Sequence, residues 1–199
     1  MRTAFCFDLD GTVTTTEVLP CIASEIGVAD EIAALTRATM DGHIAFEASF
    51  RLRCLILRQV PTDKVRSIVA NIPLDESIFA FIQANSSDSF LVTGNLDVWV
   101  QPIAEKCGCE IYSSTGFMDG GSLVLEKILN KGDAIAEIRK RGYDRVVAVG
   151  DGANDVPMLT AADIGIAFGG VHLPSSVTVA AADYIIQEGA ALCRMLETL

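Results

Sequence analysis

The sequence contains no pair of cysteines at the spacing of a zinc site. Its six cysteines are scattered, and Cys107 and Cys109 are too close together to form half of such a site. We therefore expect reduced thiols, most of them packed as small apolar residues. The two histidines, His43 and His172, have no ligand spacing around them, which predicts loop residues with no catalytic part.

The chain is also poor in basic residues and in long apolar runs. Only 15 Lys and Arg stand against 26 Asp and Glu, a formal net charge of −11, which argues against nucleic acid or an anionic membrane surface as a partner. Asp8 and Asp10 interrupt the apolar start of the chain, whereas a secretory signal or a membrane span needs a longer uncharged run. We predict a cytoplasmic protein, a monomer or a weak homodimer.

What the sequence does contain is the pattern of an α/β fold. Half of its 199 residues are hydrophobic, which suits one domain, or one domain with a sizeable insert. Short runs of Val, Ile and Phe alternate with segments of helical period, which predicts a Rossmann-like, mostly parallel sheet with helices on both faces. The predicted strands are Thr3–Phe7, Ser89–Val92, Glu110–Ser113, Arg145–Val149, Gly165–Phe168 and Asp183–Ile186.

Residues 14–73 interrupt this alternation. No convincing strand occurs there, and the helical period predicts four consecutive helices: Leu19–Glu25, Glu31–Met40, Ala45–Arg58 and Asp63–Asn71. We interpret the stretch as a helical insert after the first strand, over the sheet edge where open α/β sheets bind ligands. The expected domains are an α/β catalytic core of residues 1–13 and 74–199 and a small helical-bundle cap of residues 14–73.

Polar residues cluster around the ends of the predicted strands. They are Asp8 and Asp10 after the first strand, Thr93 and Gly94 after the second, Lys131 at a helix entry, and Asp151, Asn154 and Asp155 in a Gly-rich loop. Taken singly, these segments have other interpretations. However, an EF-hand calcium loop has its glycine at the sixth position, and residues 150–155 lack the third glycine of a dinucleotide-binding loop. Their joint occurrence in this order favours a functional site.

These residue types suit phosphoryl transfer to a carboxylate. Asp8 would attack phosphorus, and Asp10 would protonate the leaving oxygen and later activate water. Lys131, Thr93 and the N–H of Gly94 would hold the phosphoryl oxygens. Several carboxylates can surround a phosphate only together with a cation, and Mg²⁺ is the usual one.

The four segments resemble the motifs of the haloacid dehalogenase superfamily of phosphatases: DxDGT at 8–12, Thr93, Lys131, and GDGxND at 150–155. More closely, essentially the whole chain is similar to the phosphoserine phosphatase branch. This resemblance implies that Asp8 is the nucleophile and Asp10 the general acid and base. It implies three metal ligands, which are Asp8, the carbonyl oxygen of Asp10, and Asp151. Asn154 would bind the phosphate, and Asp155 would support the metal site without binding the ion.

The resemblance also implies how the substrate is recognised. Glu17 and Arg53 occupy the positions that bind the amino and carboxylate groups of phosphoserine in the branch, and Met40 and Phe46 match apolar residues that close over the substrate. The chemistry is consistent, since a glutamate attracts an ammonium group and an arginine binds a carboxylate through two hydrogen bonds. Arg51 is a nearby rival for the carboxylate role.

The chain departs from the branch close to the phosphate site. Asn95 stands where the branch usually has a second glycine, which narrows the space there, and Thr93 replaces a more usual serine. Lys127 is an alternative to Lys131, but it lacks the following glycine and helix start. We expect a Mg²⁺-dependent phosphatase acting on a small molecule, with O-phospho-L-serine as the leading substrate.

Several alternatives remain open. Other small phosphomonoesters are phosphoethanolamine, phosphohomoserine and sugar phosphates, and a phosphomutase would share the same core. A non-enzymatic phospho-acceptor switch also uses an acidic pocket, a hydroxyl and a lysine. Such receivers have no helical insert, so residues 14–73 count against a switch.

Overall fold

The computed structural model describes all residues, 1–199, and its centre is a seven-stranded sheet. In chain order the strands are β1 (Thr3–Phe7), β2 (Ser89–Leu96), β3 (Glu110–Asp119), β4 (Ser122–Lys127), β5 (Arg145–Gly150), β6 (Ile164–Phe168) and β7 (Tyr184–Ile186). They lie side by side in the order β4-β3-β2-β1-β5-β6-β7, and only β3 and β4 pair antiparallel. The predicted mostly parallel sheet is confirmed.

Ten α-helices accompany the sheet. They are α1 (Val18–Ala23), α2 (Ala29–Met40), α3 (Phe46–Leu57), α4 (Thr62–Ala70), α5 (Glu76–Ala84), α6 (Asp97–Cys107), α7 (Lys131–Arg139), α8 (Val156–Ala161), α9 (Ser176–Ala181) and α10 (Gly189–Leu196). The first four all belong to the helical insert. None of the helices is long and apolar enough to cross a membrane.

The central strand β1 shows why this sheet is covered on both faces. Its alternate residues point to opposite sides, so that Phe5 and Phe7 join one apolar cluster and Ala4 and Cys6 join another. All five residues of the strand are buried. A strand buried on both faces appears in the sequence as a continuous apolar run, which is why β1 is predicted with its observed bounds.

Strand β4 is absent from the predicted set. It is an edge strand whose residues are mostly exposed, so it lacks the apolar run by which buried strands are identified. The hairpin turn before it is signalled by Gly120 and Gly121, which have φ angles of 53° and 85°. Residues other than glycine rarely adopt such angles. The strands β2 and β3 also extend further than predicted, to Leu96 and Asp119.

The helical insert leaves and rejoins the sheet at nearly the same point. Thr14 and Leu74 form an antiparallel bridge. Beside it, the Thr15 N–H donates to the Pro73 carbonyl at 3.0 Å, and the Asp75 N–H donates to the Val13 carbonyl at 2.9 Å. The two connections therefore run side by side from the end of β1, which places α1–α4 as one unit at that edge of the sheet.

The strand order determines which loops meet. Strand β1 lies between β2 and β5 and is parallel to both. Because the carboxyl ends of parallel strands share one edge of the sheet, the segments that follow these three strands converge there. These segments carry most of the predicted site residues.

Candidate active site

A buried lysine lies at the centre of the converging loops. Lys131 is the first residue of α7, and its Nζ donates to Asp8 Oδ1 and, at 2.5 Å, to Asp155 Oδ1. All three side chains are buried. The helix start is fixed by Asn130, whose side chain accepts the Gly132 N–H at 2.9 Å. Local capping thus holds the lysine between a carboxylate from each of two loops.

Lys127, the alternative lysine, lies elsewhere. It is the last residue of β4 and is exposed. Only Lys131 of the two pairs with Asp8, so the structure distinguishes between the two candidates.

The site contains more acidic groups than basic ones. Burial by itself lowers the pKa of Lys131. The attraction of the Asp155 and Asp8 carboxylates is stronger than this effect, so the pKa of Lys131 lies above its usual value. Burial is the main reason that the pKa values of the Asp8 and Asp151 carboxyls lie well above the usual range, and the neighbouring Asp155 raises both further. One lysine does not compensate these carboxylates.

The donor atoms suit a hard cation. Carboxylate oxygens of Asp8, Asp151 and Asp155 lie within 4.8 Å of one another. Asp151 Oδ1 is buried and has no hydrogen-bond partner, which is costly for a polar atom unless something else satisfies it. Asp155 differs, because its Oδ2 already accepts the N–H groups of Asp151 and Gly152 at 3.0 and 2.9 Å. An all-oxygen set with an unsatisfied carboxylate fits Mg²⁺.

Gly11 allows the first loop to approach Asp151. Its φ angle is +69°, and a Cβ atom at this position would lie 2.7 Å from Asp151 Oδ2. Both the backbone conformation and the close approach therefore require glycine.

The Asp10 carboxyl does not belong to the three-carboxylate cluster and is held at both oxygens. Oδ1 accepts the Val18 N–H at 2.7 Å, and Oδ2 accepts a hydrogen bond from the Asn95 side chain. Burial, followed by repulsion from Glu17, raises the pKa of Asp10 to about 7. A carboxyl with a pKa near neutrality is suited to both donate and accept a proton in one reaction cycle.

The predicted phosphate-binding residues have different surroundings. Gly94 and Asn154 line a cavity together with Asp8 and Asp10, and Asn154 Oδ1 is buried without a partner. Thr93 is fully buried and does not line this cavity, and its Oγ1 accepts the Asn95 N–H at 3.1 Å.

The opposite wall of the cavity comes from the helical insert. The volume is about 30 Å³, and the insert contributes Glu17, Leu19, Thr36, Met40, Phe46, Phe50 and Arg53 to its lining. Arg53 is only 4% exposed and donates to Thr36 Oγ1 at 3.0 Å. The Arg51 side chain, by contrast, is 57% exposed and pairs with Glu47. Of the two arginines, Arg53 faces the cavity.

Two insert side chains rest directly on glycines of the core loops. A Cβ atom on Gly94 would lie 2.2 Å from Phe46 Cζ, and one on Gly152 would lie 2.3 Å from Met40 Cε. A side chain at either glycine would clash with Phe46 or Met40 unless that residue moved. The insert is therefore closed over the site.

Some residues at the site are not identified by the sequence patterns. Thr36 lies four residues before Met40, and Phe50 lies four residues after Phe46. At this spacing two residues share one face of a helix, so Met40 and Phe46 are the signal from which Thr36 and Phe50 could be predicted to face the site. His172 lies in the loop after β6, as predicted, but its Nε2 is 3.5 Å from Glu17 Oε1. The hydrogen bond to Glu17 raises the pKa of His172. No signal in the sequence connects these two distant positions.

Comparison with known proteins agrees with this geometry. A family model described as haloacid dehalogenase-like hydrolase matches residues 5–160, most of the chain. The chain belongs to this family. Among curated relatives of this hydrolase, the phosphoserine phosphatase of Methanocaldococcus jannaschii is 33% identical over 178 residues, covering 81% of this chain and 83% of that protein. The phosphoserine phosphatase of Halobacterium salinarum is 29% identical, covering 98% and 97% of the two chains.

Solved structures place the hydrolase in the same group. A substrate-bound phosphoserine phosphatase complex superposes on it with a TM-score of 0.85 at 28% identity, over 100% of this chain and 98% of the other. A phospho-aspartyl intermediate analogue of phosphoserine phosphatase gives a TM-score of 0.84, also at 28% identity and with the same coverage. The family predicted from the four motifs is confirmed.

Proposed function

We propose that this hydrolase cleaves O-phospho-L-serine to L-serine and phosphate, with Mg²⁺ as cofactor and an aspartyl phosphate on Asp8 as intermediate. The observation that carries the substrate assignment is the cavity wall opposite Asp8. Glu17 and Arg53, of opposite charge, line the same small cavity as Asp8 and Asp10. An amino acid phosphate carries an ammonium group and a carboxylate, which match these two side chains. The names of the relatives support the same substrate.

The first half of the reaction uses the two aspartates of the first loop. A carboxylate oxygen of Asp8 attacks phosphorus, the bond between phosphorus and the serine oxygen breaks, and the proton of the Asp10 carboxyl passes to that oxygen. Lys131 holds the Asp8 carboxylate through its hydrogen bond and balances negative charge on the phosphoryl oxygens. Gly94, Asn154 and Thr93 would form the rest of the phosphate site.

The second half returns Asp8 to its starting state. Asp10, now a carboxylate, takes a proton from water as the water oxygen attacks phosphorus, and the bond between phosphorus and Asp8 breaks. Asp8, Asp151 and the carbonyl oxygen of Asp10 would hold Mg²⁺, which when bound neutralises negative charge at this centre. Asp155 would serve by fixing Lys131 and the loop, because both its oxygens are already engaged.

Residues 14–73 would act as a cap that opens and closes over the core, which comprises residues 1–13 and 74–199. The paired connections at Thr14 and Leu74 support a hinge at this point. Met40 and Phe46 would exclude water in the closed form. The six unpaired cysteines support a reducing, cytoplasmic location, and we propose a monomer or a weak homodimer without nucleic-acid or membrane partners.

Phosphate release from a substrate panel tests the proposal. With Mg²⁺ present, O-phospho-L-serine should be hydrolysed much faster than phosphoethanolamine, which lacks the carboxylate, and faster than D-phosphoserine, phosphothreonine, phosphohomoserine and sugar phosphates. Comparable rates across the panel, or a preference for phosphohomoserine or a sugar phosphate, would overturn the substrate while leaving the chemistry. Phosphoryl exchange between sugar phosphates would indicate a mutase, and stable phosphorylation without turnover would indicate a switch.

Replacing Arg53 with alanine should impair recognition of the substrate carboxylate. We expect kcat/KM for phosphoserine to fall about 10²-fold, because hydrogen bonds between charged groups contribute roughly 1.5–3 kcal/mol. For phosphoethanolamine, kcat/KM should fall by less than about 3-fold, because this substrate has no carboxylate for Arg53 to bind.

The exposed Arg51 provides the matched control. Arg51→Ala should leave kcat/KM unchanged for both substrates. The kcat/KM of Arg53→Lys for phosphoserine should lie between those of the wild type and Arg53→Ala, because lysine keeps the charge but cannot form two parallel hydrogen bonds with a carboxylate. Equal losses on the two substrates would mean that Arg53 supports the insert and does not contact the carboxylate.

Mg²⁺ should stabilise the fold as well as activate the enzyme, because it relieves repulsion among buried carboxylates. At a Mg²⁺ concentration 100-fold above its dissociation constant, binding contributes about 2.7 kcal/mol. For a chain of this length that corresponds to a Tm rise of roughly 5–10 °C over the EDTA-treated protein. Asp151→Asn should diminish the rise, whereas the exposed Asp119→Asn should not. A Tm indifferent to both Mg²⁺ and EDTA would contradict the metal site.

A further inference from the structure

We propose that Asn95 is a positioning residue for the general acid: its side-chain amide holds the Asp10 carboxyl in place for proton transfer to the leaving oxygen. The proposal rests on the proposed function, in which Asp10 donates that proton. The resemblance to the branch implies glycine as the usual residue at this position, so it assigns no role to an amide side chain here.

The course of β2 directs Asn95 toward the site. Pairing between β2 and β3 is irregular between Val92 and Leu96, so the segment between them is released from the regular ladder. Within it, the Thr93 hydroxyl accepts the Asn95 N–H at 3.1 Å, and the Gly94 carbonyl accepts the Ser114 hydroxyl at 2.7 Å. These bonds fix the backbone of the segment. The Asn95 side chain is 4% exposed and lines the cavity.

The Asp10 carboxyl is held from two independent directions. Its Oδ1 accepts from the Val18 backbone at the start of α1, and its Oδ2 accepts from Asn95 Nδ2 in the sheet. One donor alone leaves the carboxyl plane free to turn about the Cβ–Cγ bond, whereas a donor to each oxygen fixes the plane. Each carboxyl oxygen has two acceptor sites, so both bonds are compatible with a proton on the carboxyl.

A fixed carboxyl plane matters when the bond between phosphorus and the ester oxygen breaks. As phosphorus binds Asp8, its bond to the ester oxygen breaks, and the Asp10 proton moves to that oxygen. An alkoxide such as that of serine is a poor leaving group and needs the proton, whereas 4-nitrophenolate leaves without it. Loss of Asn95 should therefore harm alkyl phosphates and spare aryl phosphates, a distinction that a purely structural role would not produce.

The test measures kcat/KM of Asn95→Ala for phosphoserine and for 4-nitrophenyl phosphate. This parameter reports steps up to formation of the aspartyl phosphate and is independent of its hydrolysis. We expect at least about a 10-fold loss for phosphoserine, part of the 10²–10⁴-fold that general acid catalysis supplies, and less than about a 3-fold loss for the aryl ester. Asn95→Ser, which keeps a shorter donor, should recover part of the phosphoserine activity.

The outcomes separate the proposal from its alternatives. Equal losses on both esters in either variant, or no loss on phosphoserine, would overturn it. Should Asn95→Ala fail to fold, as judged by its Tm, the same comparison is made with Asn95→Ser, which should show a smaller loss confined to the alkyl ester. A wild-type enzyme that prefers another alkyl phosphate would overturn the phosphoserine assignment alone, and the comparison then uses that ester.

Discussion

Replacing Asp8 with asparagine should abolish turnover and leave the fold intact. The amide cannot form the aspartyl phosphate, and loss of a catalytic nucleophile lowers kcat by on the order of 10⁴-fold or more. The variant should be at least as stable as the wild type without metal, because burial and Asp155 already disfavour the charged form of Asp8, and Lys131 keeps its ion pair with Asp155. Phosphate release and a thermal melt in EDTA measure the two effects.

Asp133 provides the matched control for this change. It lies two residues after Lys131 in α7 but is exposed, so Asp133→Asn alters the same charge without touching the cavity and should keep full activity. If Asp8→Asn retained activity, Asp8 would not be the nucleophile. If it were inactive and unfolded, the loss would reflect structure and the assignment would need the trapped phosphoprotein as evidence.

Replacing Lys131 with alanine should have the largest effect on stability. The change leaves Asp8 and Asp155 buried without their shared cation, and breaking a buried ion pair from one side costs about 3–5 kcal/mol. The expected fall in Tm is roughly 6–20 °C for a chain of this length. Activity should fall about 10²–10³-fold, as when one stabilising donor is removed from an active site. The exposed Lys127→Ala should change neither property.

The loss of stability in Lys131→Ala should depend on pH. Asp8 and Asp151 have pKa values raised by burial, so the folded state holds their protons more tightly than the unfolded chain does. Folding of the metal-free protein is therefore favoured at low pH and loses this advantage as pH rises through the folded pKa values. Lys131 lowers the pKa values of both carboxyls, so they lie higher in the variant, which loses more stability than the wild type as pH rises. The Tm difference between variant and wild type in EDTA should be smaller at about pH 5 than at about pH 8. A constant difference would mean that the lysine acts through packing.

Sequence reasoning predicts those strands whose residues form one continuous apolar run. Strands β1 and β5 are apolar throughout because both faces are covered, and their predicted ends lie within one residue of those observed. Strand β4 has a single partner strand and a mostly exposed surface, so it lacks that signal. The extension of β2 past Val92 has no such signal either, since Thr93, Gly94 and Asn95 are polar or small although they are buried.

Site residues that lie close together in the chain are also predictable, whereas contacts between distant positions are not. The loops after β1 and β5 are identifiable from carboxylates and glycines close together in the chain, and parallel pairing brings them together. The contact of Asn95 with Asp10 joins positions 85 residues apart, and that of His172 with Glu17 joins still more distant ones. The sequence indicated crowding at Asn95, but the direction of its amide depends on the irregular end of β2. Such details follow from tertiary packing and have no local pattern.

The neighbouring connections at Thr14 and Leu74 have a consequence for how such a protein diversifies. Because the chain leaves the sheet and returns to it at the same place, the length and sequence between these points can change without shifting the register of any strand. Asp8, Lys131 and Asp151 lie outside this stretch, while Glu17 and Arg53 lie within it. With the roles proposed for Glu17 and Arg53, exchanging the stretch for that of a relative should transfer substrate preference and leave the core residues Asp8, Lys131 and Asp151 unchanged.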